Sequence, residues 1–370
     1  MTPKLHVHYD IRSDASAIEE RARTIAIEQS VEMPLEAIDD PKVRAEIVGR
    51  VEDVQDLGAG LFRATIALDL ETTGLESGQL LNVLFGNVSI HDDVTLAAIT
   101  VSSELAKAFP GPRFGSDGLR ARVAAGRRAL TCTALKPQGL PPDRLATLAR
   151  TLALGGLDYI KDDHNLADQR HAPFAARVKA ISAAVETARR ETGRATRYLP
   201  SLSGNLDSLR RQVKIARDCG LDTLLIAPMI VGLPSFETLV RDNPGMAFIA
   251  HPAMAGASRI APPALLGTLF RLLGADAVIF PNLGGRFGYT RETCRAIADA
   301  ASARIAGIKP ALPVPAGGMT LRRVPEILSF YGNDAMLLIG GDLLLAGPAM
   351  TAAARAFQSA VEKATCTVRT

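Results

Sequence analysis

The sequence of 370 residues contains no tryptophan, and aromatic residues make up only 5% of it. Its lysines and arginines are dispersed, and the formal net charge is only +3. Nucleic-acid-binding proteins use clustered cations and stacking side chains, so nucleic acid is not an expected partner. The best apolar stretch, residues 221–233, contains Pro228 and is too short to span a bilayer. The first residues lack the apolar run of a signal peptide, so we expect a cytoplasmic protein without a membrane partner.

Cysteine is also scarce. The four cysteines lie far apart and form no CxxC pair: Cys132, Cys219, Cys294 and Cys366. This spacing is typical of reduced core thiols, and it disfavours both a disulfide framework and a zinc cluster. Because 47% of the residues are hydrophobic, intrinsic disorder is excluded and a large folded core is expected.

The first part of the chain has a mixed pattern. Residues 5–11 and 61–70 alternate between apolar and polar side chains as half-buried strands do, and residues 16–28 carry apolar side chains at helical spacing. The Pro- and Gly-containing stretch 109–118 is typical of a linker. These patterns predict a small α+β unit over residues 1–120.

From residue 129 onward, short apolar strands alternate with helical segments. The predicted strands are 130–135, 157–161, 198–202, 223–227, 247–250, 277–280, 312–315 and 336–339. The predicted helices are 142–154, 174–190, 206–219, 263–273, 291–305 and 321–330. Eight strand-and-helix units in about 240 residues are typical of a (β/α)₈ TIM barrel, here at residues 121–370. A doubly wound open sheet would have fewer strands and a Gly-rich fingerprint, and residues 58–60 lack the third glycine of that pattern.

Polar residues follow the predicted strands, where barrel enzymes place their chemistry. The clearest group is the run GGLDYIKDDHN at residues 155–165. Strand alternation predicts that Lys161 and Asp163 lie on one side. Carboxylates suit Mg²⁺, and an imidazole at His164 would also suit Mn, Fe or Zn. A solvated polar loop is the alternative. Lys161 could be a cation among carboxylates or, carbamylated by CO₂, an anionic metal ligand.

This run resembles the metal motif GGxDFxKDDE of the large chain of ribulose-1,5-bisphosphate carboxylase/oxygenase (RuBisCO). Further segments that resemble this family in the same order are TCTALKP at 131–137, FIAHPAM at 248–254, PAGG at 315–318 and IGG at 339–341. IEQS at 27–30 and LNVLFG at 81–86 resemble its N-terminal segments. The resemblance therefore covers nearly the whole chain, and it implies a TIM barrel preceded by a ferredoxin-like α+β unit.

The resemblance also implies site residues, a cofactor and an assembly. The implied residues are catalytic Lys136, Lys161, His251, Glu28 and Asn82; metal-binding Lys161, Asp163 and His164; and phosphate- or substrate-binding Gly317, Gly318, Gly340, Gly341 and Arg286. The implied cofactor is Mg²⁺, or another divalent ion because of His164, held with a carbamate on Lys161. A homodimer or higher homo-oligomer is expected, because Glu28 and Asn82 would complete the site of a partner copy.

Several positions depart from the carboxylase pattern. His164 replaces a metal carboxylate, Gln138 replaces a lysine, and Pro252 replaces an arginine that grips phosphate. Asn282 follows the sixth strand, and residues 284–286 replace the loop that carries a mobile lysine. Losing these cations removes the grip on one phosphate of a bisphosphate. The sequence therefore resembles a RuBisCO-like protein of form IV, which would not fix CO₂.

Three functions remain open at this point. The first is enediolate formation followed by C–C cleavage, through decarboxylation or hydrolysis, of a phosphorylated keto sugar acid such as 3-oxo-isoapionate 4-phosphate. The second is proton transfer alone, as an enolase or isomerase acting on methylthioribulose or diketo-methylthiopentyl phosphate in methionine salvage. The third is a catalytically retired paralogue with a regulatory role, which His164 would favour if it weakens Mg²⁺ binding. The main expectation is C–C cleavage.

Overall fold

The chain forms two sheets that lie in successive parts of the sequence. The structure, a computed structural model, describes residues 3–285 and 287–367. An antiparallel sheet of four strands lies within residues 4–100, and a parallel sheet of nine strands begins at Leu130. No helix in the described part of the chain is long and apolar enough to cross a membrane.

The N-terminal sheet has the ferredoxin-like order β2-β3-β1-β4. Its strands are β1 (Lys4–Arg12), β2 (Arg50–Gly58), β3 (Leu61–Asp69) and β4 (Val94–Thr100). In β1, alternate side chains from Leu5 to Ile11 are buried, as the sequence alternation predicts. Helices α1 (Ile18–Glu28) and α2 (Ser77–Phe85) complete the βαββαβ order. The prediction of a small α+β unit is confirmed.

Residues 58–60, which resemble part of a dinucleotide fingerprint, form the turn between β2 and β3. Gly58, Ala59 and Gly60 have positive φ angles of 86°, 53° and 71°. Glycine adopts this backbone without strain, which explains its place in a tight hairpin. These glycines therefore serve the turn, as the barrel interpretation requires.

The parallel sheet closes into a barrel. Its strands are β5 (Leu130–Leu135), β6 (Tyr159–Asp162), β7 (Arg197–Leu199), β8 (Ser201–Leu202), β9 (Thr223–Ile226), β10 (Ala247–Ala250), β11 (Ala277–Pro281), β12 (Leu312–Ala316) and β13 (Met336–Ile339). The sequence predicts one strand over 198–202, but the structure divides it at Pro200, which has no N–H to donate. β7 pairs with β6 and β8 with β9, so the two pieces act as one of eight barrel strands. The barrel prediction is confirmed.

Helices surround the barrel, and several of them begin or end at residues other than those predicted from the sequence. The remaining α-helices are α3 (Ser103–Ala108), α4 (Gly115–Arg122), α5 (Pro142–Leu154), α6 (Phe174–Thr192), α7 (Leu206–Asp218), α8 (Pro228–Val231), α9 (Leu233–Asp242), α10 (Phe270–Leu272), α11 (Arg291–Ser302), α12 (Val324–Tyr331), α13 (Gly341–Leu344) and α14 (Met350–Thr367). Segments of π-helix cover Val43–Ile47 and Pro263–Leu269. Short 3₁₀ turns cover Leu35–Ala37, Leu70–Thr73, Asn87–Ile90, Ala255–Ala257, Leu321–Arg323 and Gly347–Ala349. The predicted helix 263–273 is thus mainly π-helix, and the predicted helix 321–330 begins as a 3₁₀ turn.

The predicted linker at 109–118 is wrong in its second half, because α4 begins at Gly115. Gly115 has φ +61°, and a Cβ there would lie 2.6 Å from the carbonyl oxygen of Pro310, so a glycine is required. The Asp276 carboxylate accepts the N–H groups of Phe114 and Gly115 at 2.7 and 2.8 Å. From α4, Leu119 packs with the inward side chains of the strands and closes the N-terminal end of the barrel. The division into domains at residue 120 stays a prediction.

The barrel interior is apolar up to its C-terminal end. The inward side chains include Leu130, Cys132, Tyr159, Leu199, Leu225, Ile249, Ile279, Val314 and Leu338. Continuing the same alternation brings Lys136, Lys161, Asp163 and His251 to the opening at the C-terminal ends of the strands, which we call the mouth. Cys132 and Cys294 are buried free thiols and Cys219 is a partly buried one, whereas the side chain of Cys366 lies outside the described residues.

Candidate active site at the barrel mouth

Lys136 and Asp163 join the ends of two neighbouring strands. Lys136 follows β5 and Asp163 follows β6, and their side chains form an ion pair. The Asp163 side chain is 4% exposed and that of Lys136 is 41% exposed. Burial opposes the ionisation of Asp163, but hydrogen bonds from Lys136 and the N–H of Asn165 outweigh it and leave the pKa of Asp163 below its usual value. Lys136 is thus held at the mouth against a charged carboxylate.

Lys161 lies below this pair, inside the barrel, and is almost fully buried. Its Nζ donates a hydrogen bond to the carbonyl oxygen of Asp162 at 3.0 Å. Burial lowers the pKa of Lys161, against the opposing influence of Cys132 and Asp163. A lowered pKa increases the neutral fraction of an amine, which is its nucleophilic form, compared with a surface lysine.

Two histidines stack beside these groups. The rings of His164 and His251 have centroids 4.1 Å apart and planes inclined by 14°. His164 Nδ1 lies 3.3 Å from Asp163 Oδ1. The N–H of Ala253 donates to His251 Nδ1 at 3.1 Å, which assigns the proton of the neutral ring to Nε2. Burial, reinforced by Lys161 and His164, lowers the pKa of His251 to about 2. His251 is therefore a neutral hydrogen-bond donor at the mouth.

Asp162, between Lys161 and Asp163, faces the helix layer. Its carboxylate accepts hydrogen bonds from Arg177 Nε at 3.1 Å and from the Tyr198 hydroxyl at 2.9 Å. Sequence reasoning missed Arg177 and Tyr198. The alternation of β6 could have shown that Asp162 points away from its neighbours and needs buried partners.

A divalent ion fits this site only with an additional ligand. Among residues 3–285 and 287–367, no three His, Cys, Asp or Glu side chains are arranged to hold a metal ion. Asp163 and His164 supply two potential metal ligands, with Asp163 Oδ1 and His164 Nδ1 3.3 Å apart. The buried amine of Lys161, whose pKa is lowered, has the chemistry required to become a carbamate and so to provide the third. The donor set therefore fits a carbamate-assisted metal site.

Gly317 and Gly318 form a tight turn after β12. Their φ angles are 87° and 68°, and a Cβ on Gly318 would lie 3.1 Å from the Cα of Gly285. Glycine therefore permits the loops after β11 and β12 to approach each other. Arg323 ties these loops together by donating to the carbonyls of Gly318 and Leu283 at 3.2 and 2.9 Å. Such turns can cradle a phosphate with their N–H groups.

The second glycine pair lies on the neighbouring strand. Gly340 follows β13 and Gly341 begins α13, and β13 is adjacent to β12 in the barrel. Asp342 accepts the N–H of Leu321 at 3.3 Å, which connects this loop to the preceding one. The two glycine pairs thus share one arc of the mouth, whereas Arg286, the predicted cation beside them, lies outside the described residues.

Glu28 and Asn82 lie in the N-terminal unit. They line a pocket of about 350 Å³ together with Gln29, Glu32, Asn87 and neighbouring residues. Asn87 Nδ2 donates to Glu28 Oε1 at 3.0 Å and to Glu32 Oε1 at 2.9 Å. In the described part of one chain, this pocket is lined by the N-terminal unit alone. No described residue of the barrel mouth is among those that line this pocket with Glu28 and Asn82.

Two residues that depart from the carboxylase pattern have structural contacts. Gln138 Nε2 donates to the carbonyl of Asn165 at 3.3 Å, which links the loops after β5 and β6. Asn282 is buried, and its Oδ1 accepts the hydroxyl of Tyr331 on α12 at 3.2 Å. Neither side chain supplies a cation at the mouth.

Comparison with known proteins agrees with this architecture. The sequence model described as "Ribulose bisphosphate carboxylase large chain, catalytic domain" matches residues 117–368. The chain is 58% identical over 362 residues to the 5-methylthioribulose-1-phosphate isomerase of Rhodospirillum rubrum, covering 98% of this chain and 97% of that protein. It is 32% identical over 380 residues to the 2,3-diketo-5-methylthiopentyl-1-phosphate enolase of Geobacillus thermodenitrificans, covering 97% and 91%.

The solved structures agree as well. The Rubisco-like protein from Rhodopseudomonas palustris has a TM-score of 0.92 and 49% sequence identity to this chain, covering 98% of this chain and 99% of that one. The match includes both the N-terminal unit and the barrel. The protein therefore belongs to the RuBisCO large-chain family, as a RuBisCO-like member of form IV.

Proposed function

We propose that the protein is an isomerase that moves a proton between adjacent carbons of a monophosphorylated ketose, with 5-methylthioribulose 1-phosphate as the substrate. The observation that carries this proposal is the mouth itself. It keeps the Lys136–Asp163 pair and the buried Lys161 amine, but has Pro252 where the resemblance implies an arginine. A site of this kind suits enolisation of a substrate with one phosphate. The isomerase from Rhodospirillum rubrum, 58% identical, supports the substrate.

Two side chains are suited to the proton transfer. In its neutral amine form, Lys136 Nζ, half-exposed beside Asp163, takes the proton from the carbon next to the carbonyl and returns it to the former carbonyl carbon, while the hydroxyl proton of the first carbon passes to the former carbonyl oxygen. His251 remains neutral and donates its Nε2 proton as a hydrogen bond to the carbonyl oxygen, where charge develops. The Asp163 carboxylate orients the Lys136 ammonium between these events.

The metal and the phosphate would bind at different parts of the mouth. A divalent ion would be held by Asp163, His164 and a carbamate on Lys161. When bound, it polarises the carbonyl and the neighbouring hydroxyl of the substrate. Gly317, Gly318, Gly340 and Gly341 cradle the phosphate at the ends of β12 and β13, the strands that continue from β5 around the mouth.

We further propose a homodimer in which each copy completes the mouth of the other. In one chain Glu28 and Asn82 line a pocket of the N-terminal unit. Large apolar side chains are exposed in segments that follow the barrel strands, namely Ile230, Met254, Phe287 and Leu345. A second copy of the N-terminal unit would cover such a surface and bring Glu28 to the mouth.

The role of Lys136 is tested with a Lys136→Met variant. Methionine keeps most of the aliphatic length but cannot carry a proton, so we expect isomerisation to fall by about 10²-fold or more. Lys214→Met is the matched control, because Lys214 is an exposed lysine that pairs with Asp218 on α7. It should keep wild-type turnover.

Substrate binding separates a chemical role from a binding role. Lys136→Met should bind the substrate with an affinity similar to the wild type, as measured by calorimetry. Full isomerase activity in Lys136→Met, or an equal loss in Lys214→Met, would refute the assignment. Release of a C–C cleavage product by the wild type would favour the decarboxylating or hydrolytic reaction instead.

A further inference from the structure

Asp162 is the centre of a buried polar network directly behind the Lys161 cluster. Its side chain is fully buried. Oδ2 accepts from Arg177 Nε and from the backbone N–H of Ser201, each at 3.1 Å. Oδ1 accepts from the Tyr198 hydroxyl at 2.9 Å. We call Asp162, Arg177, Tyr198 and Ser201 the Asp162 clamp.

The donors of the clamp are themselves fixed. Arg177 is fully buried on α6, and its Nη1 also donates to the carbonyls of Ala167 and Ala172 at 2.7 Å each. Tyr198 lies on β7 and Ser201 begins β8, on either side of the break at Pro200. The clamp therefore joins the end of β6 to the loop that follows it, to α6 and to the divided strand.

Such a network is an expensive way to hold a fold together. Burying an arginine and a carboxylate carries a large desolvation penalty, which the ion pair and its hydrogen bonds must offset. Apolar residues of similar volume commonly stabilise a core as well or better. The location of the clamp, between the two residues Lys161 and Asp163, supplies a different reason for its presence.

The clamp is connected to Lys161 through one peptide group. The Asp162 side chain is held on the helix side of β6, while the Asp162 carbonyl oxygen accepts a hydrogen bond from Lys161 Nζ at 3.0 Å. Fixing the Asp162 peptide therefore fixes the direction in which the amine points. It also fixes the start of the turn that presents Asp163 to Lys136.

We infer that Asp162 is a positioning residue whose clamp orients the Lys161 amine for reaction with CO₂ and aligns it with Asp163. The inference rests on the proposed function, which requires a carbamate on Lys161. In that reaction the nitrogen lone pair forms a bond to the carbon of CO₂, one C–O π bond becomes the carboxylate, and the nitrogen releases one proton to water. Without the clamp, the Asp162 peptide would be more mobile and would lose more conformational freedom when the carbamate forms. Less carbamate would then form at a given CO₂ concentration.

A Tyr198→Phe variant tests the inference, because it removes one donor to Asp162 and keeps the buried ring. Tyr159→Phe is the matched control. Tyr159 is a buried tyrosine on β6, two residues before Lys161, and its hydroxyl donates to the carbonyl of Leu119 at 2.8 Å, away from Asp162. Each variant loses one hydrogen bond from a buried tyrosine hydroxyl to an oxygen acceptor. Thermal unfolding of both variants shows whether their losses of stability are similar.

The measurement is the carbamate signal in ¹³C NMR spectra of the full-length protein titrated with ¹³CO₂ and Mg²⁺. A Lys161→Met variant assigns the signal, because it lacks the amine. We expect Tyr198→Phe to need about fivefold more CO₂ for half-maximal carbamate, whereas Tyr159→Phe titrates like the wild type. Arg177→Lys, which keeps the charge and loses the fork of donors, should shift in the same direction.

Each other outcome overturns the inference. If Tyr198→Phe titrates like the wild type, or if Tyr159→Phe is shifted as much, the clamp has no specific connection to Lys161. Those results would leave the proposed isomerase intact. If wild-type Lys161 forms no carbamate at all, both the inference and the metal site of the proposed function are wrong.

Discussion

At the scale of single residues, the mouth combines ionisable groups whose neighbours hold them in different states. Asp163 remains charged in spite of its burial because Lys136 and a backbone N–H bind it. His251 remains neutral because burial, Lys161 and His164 all oppose its protonation. The same environment therefore provides an anion and a neutral donor within one small region.

The state of His251 predicts how stability depends on pH. Its pKa is about 2 in the folded protein, against 6.5 for an ordinary histidine. As the pH falls below 6.5, the unfolded chain takes up the proton first, so stability is lost. Between pH 7 and 5.5, we expect the free energy of unfolding to fall by about 1 kcal/mol more in the wild type than in His251→Gln. Urea titrations at the two pH values measure this difference, and parallel curves would contradict the assigned state.

Strand alternation predicts part of this arrangement. It predicts that Lys161 and Asp163 share a side, and the structure brings both to the mouth. It does not predict the stacking of His164 on His251, because β6 and β10 are not neighbours in the barrel and their relative height depends on strand tilt. It also does not reveal the partners of Asp162, which come from α6 and β7.

At the scale of elements, the strands were the most predictable parts and their connections the least. Most strands of this barrel have five residues or fewer, and both faces of the sheet are covered. Short apolar runs in the sequence therefore locate the strands well. The helix α4 was missed because its start, Phe114-Gly115, follows a stretch rich in Pro and Gly. Its helical start depends on Asp276, which lies more than 150 residues later in the chain.

Asp276 therefore predicts a specific loss of stability. It accepts the N–H groups of Phe114, Gly115 and Phe248 within 2.9 Å. Asp276→Asn removes the charge and turns one acceptor into a donor, so we expect a loss of about 2 kcal/mol in the free energy of unfolding. Asp299→Asn on α11, a mainly exposed carboxylate, is the control and should cost less than about 0.5 kcal/mol. Equal effects in urea titrations would show that Asp276 does not anchor α4.

At the scale of the whole molecule, the structure gives a reason to expect shared sites. Lys136 belongs to the barrel, while Glu28 lies in the pocket of the N-terminal unit. The resemblance predicts that Glu28 serves a partner copy, and the arrangement of one chain is compatible with this because the pocket around Glu28 is lined by residues of the N-terminal unit. The sequence predicts the family and the positions that depart from it. The contacts between two copies cannot be derived from one chain.

Complementation between variants tests the shared site. Homodimers of Lys136→Met and of Glu28→Gln should each be nearly inactive. Mixed dimers contain one mouth with both residues intact, so an equal mixture after subunit exchange should regain about one quarter of wild-type activity. No recovery, with exchange verified by native mass spectrometry, would mean that each chain carries a complete site.

The proposed isomerase activity is tested by the reaction of the wild-type protein with 5-methylthioribulose 1-phosphate in D₂O, with Mg²⁺ and CO₂ present, followed by NMR. We expect an isomeric product with the carbon skeleton intact and with deuterium at the carbons between which the proton moves, in proportion to the exchange of that proton with solvent. We also expect no turnover of ribulose 1,5-bisphosphate. A substrate that is recovered unchanged and unlabelled, or a product with a broken C–C bond, would contradict the proposed isomerase.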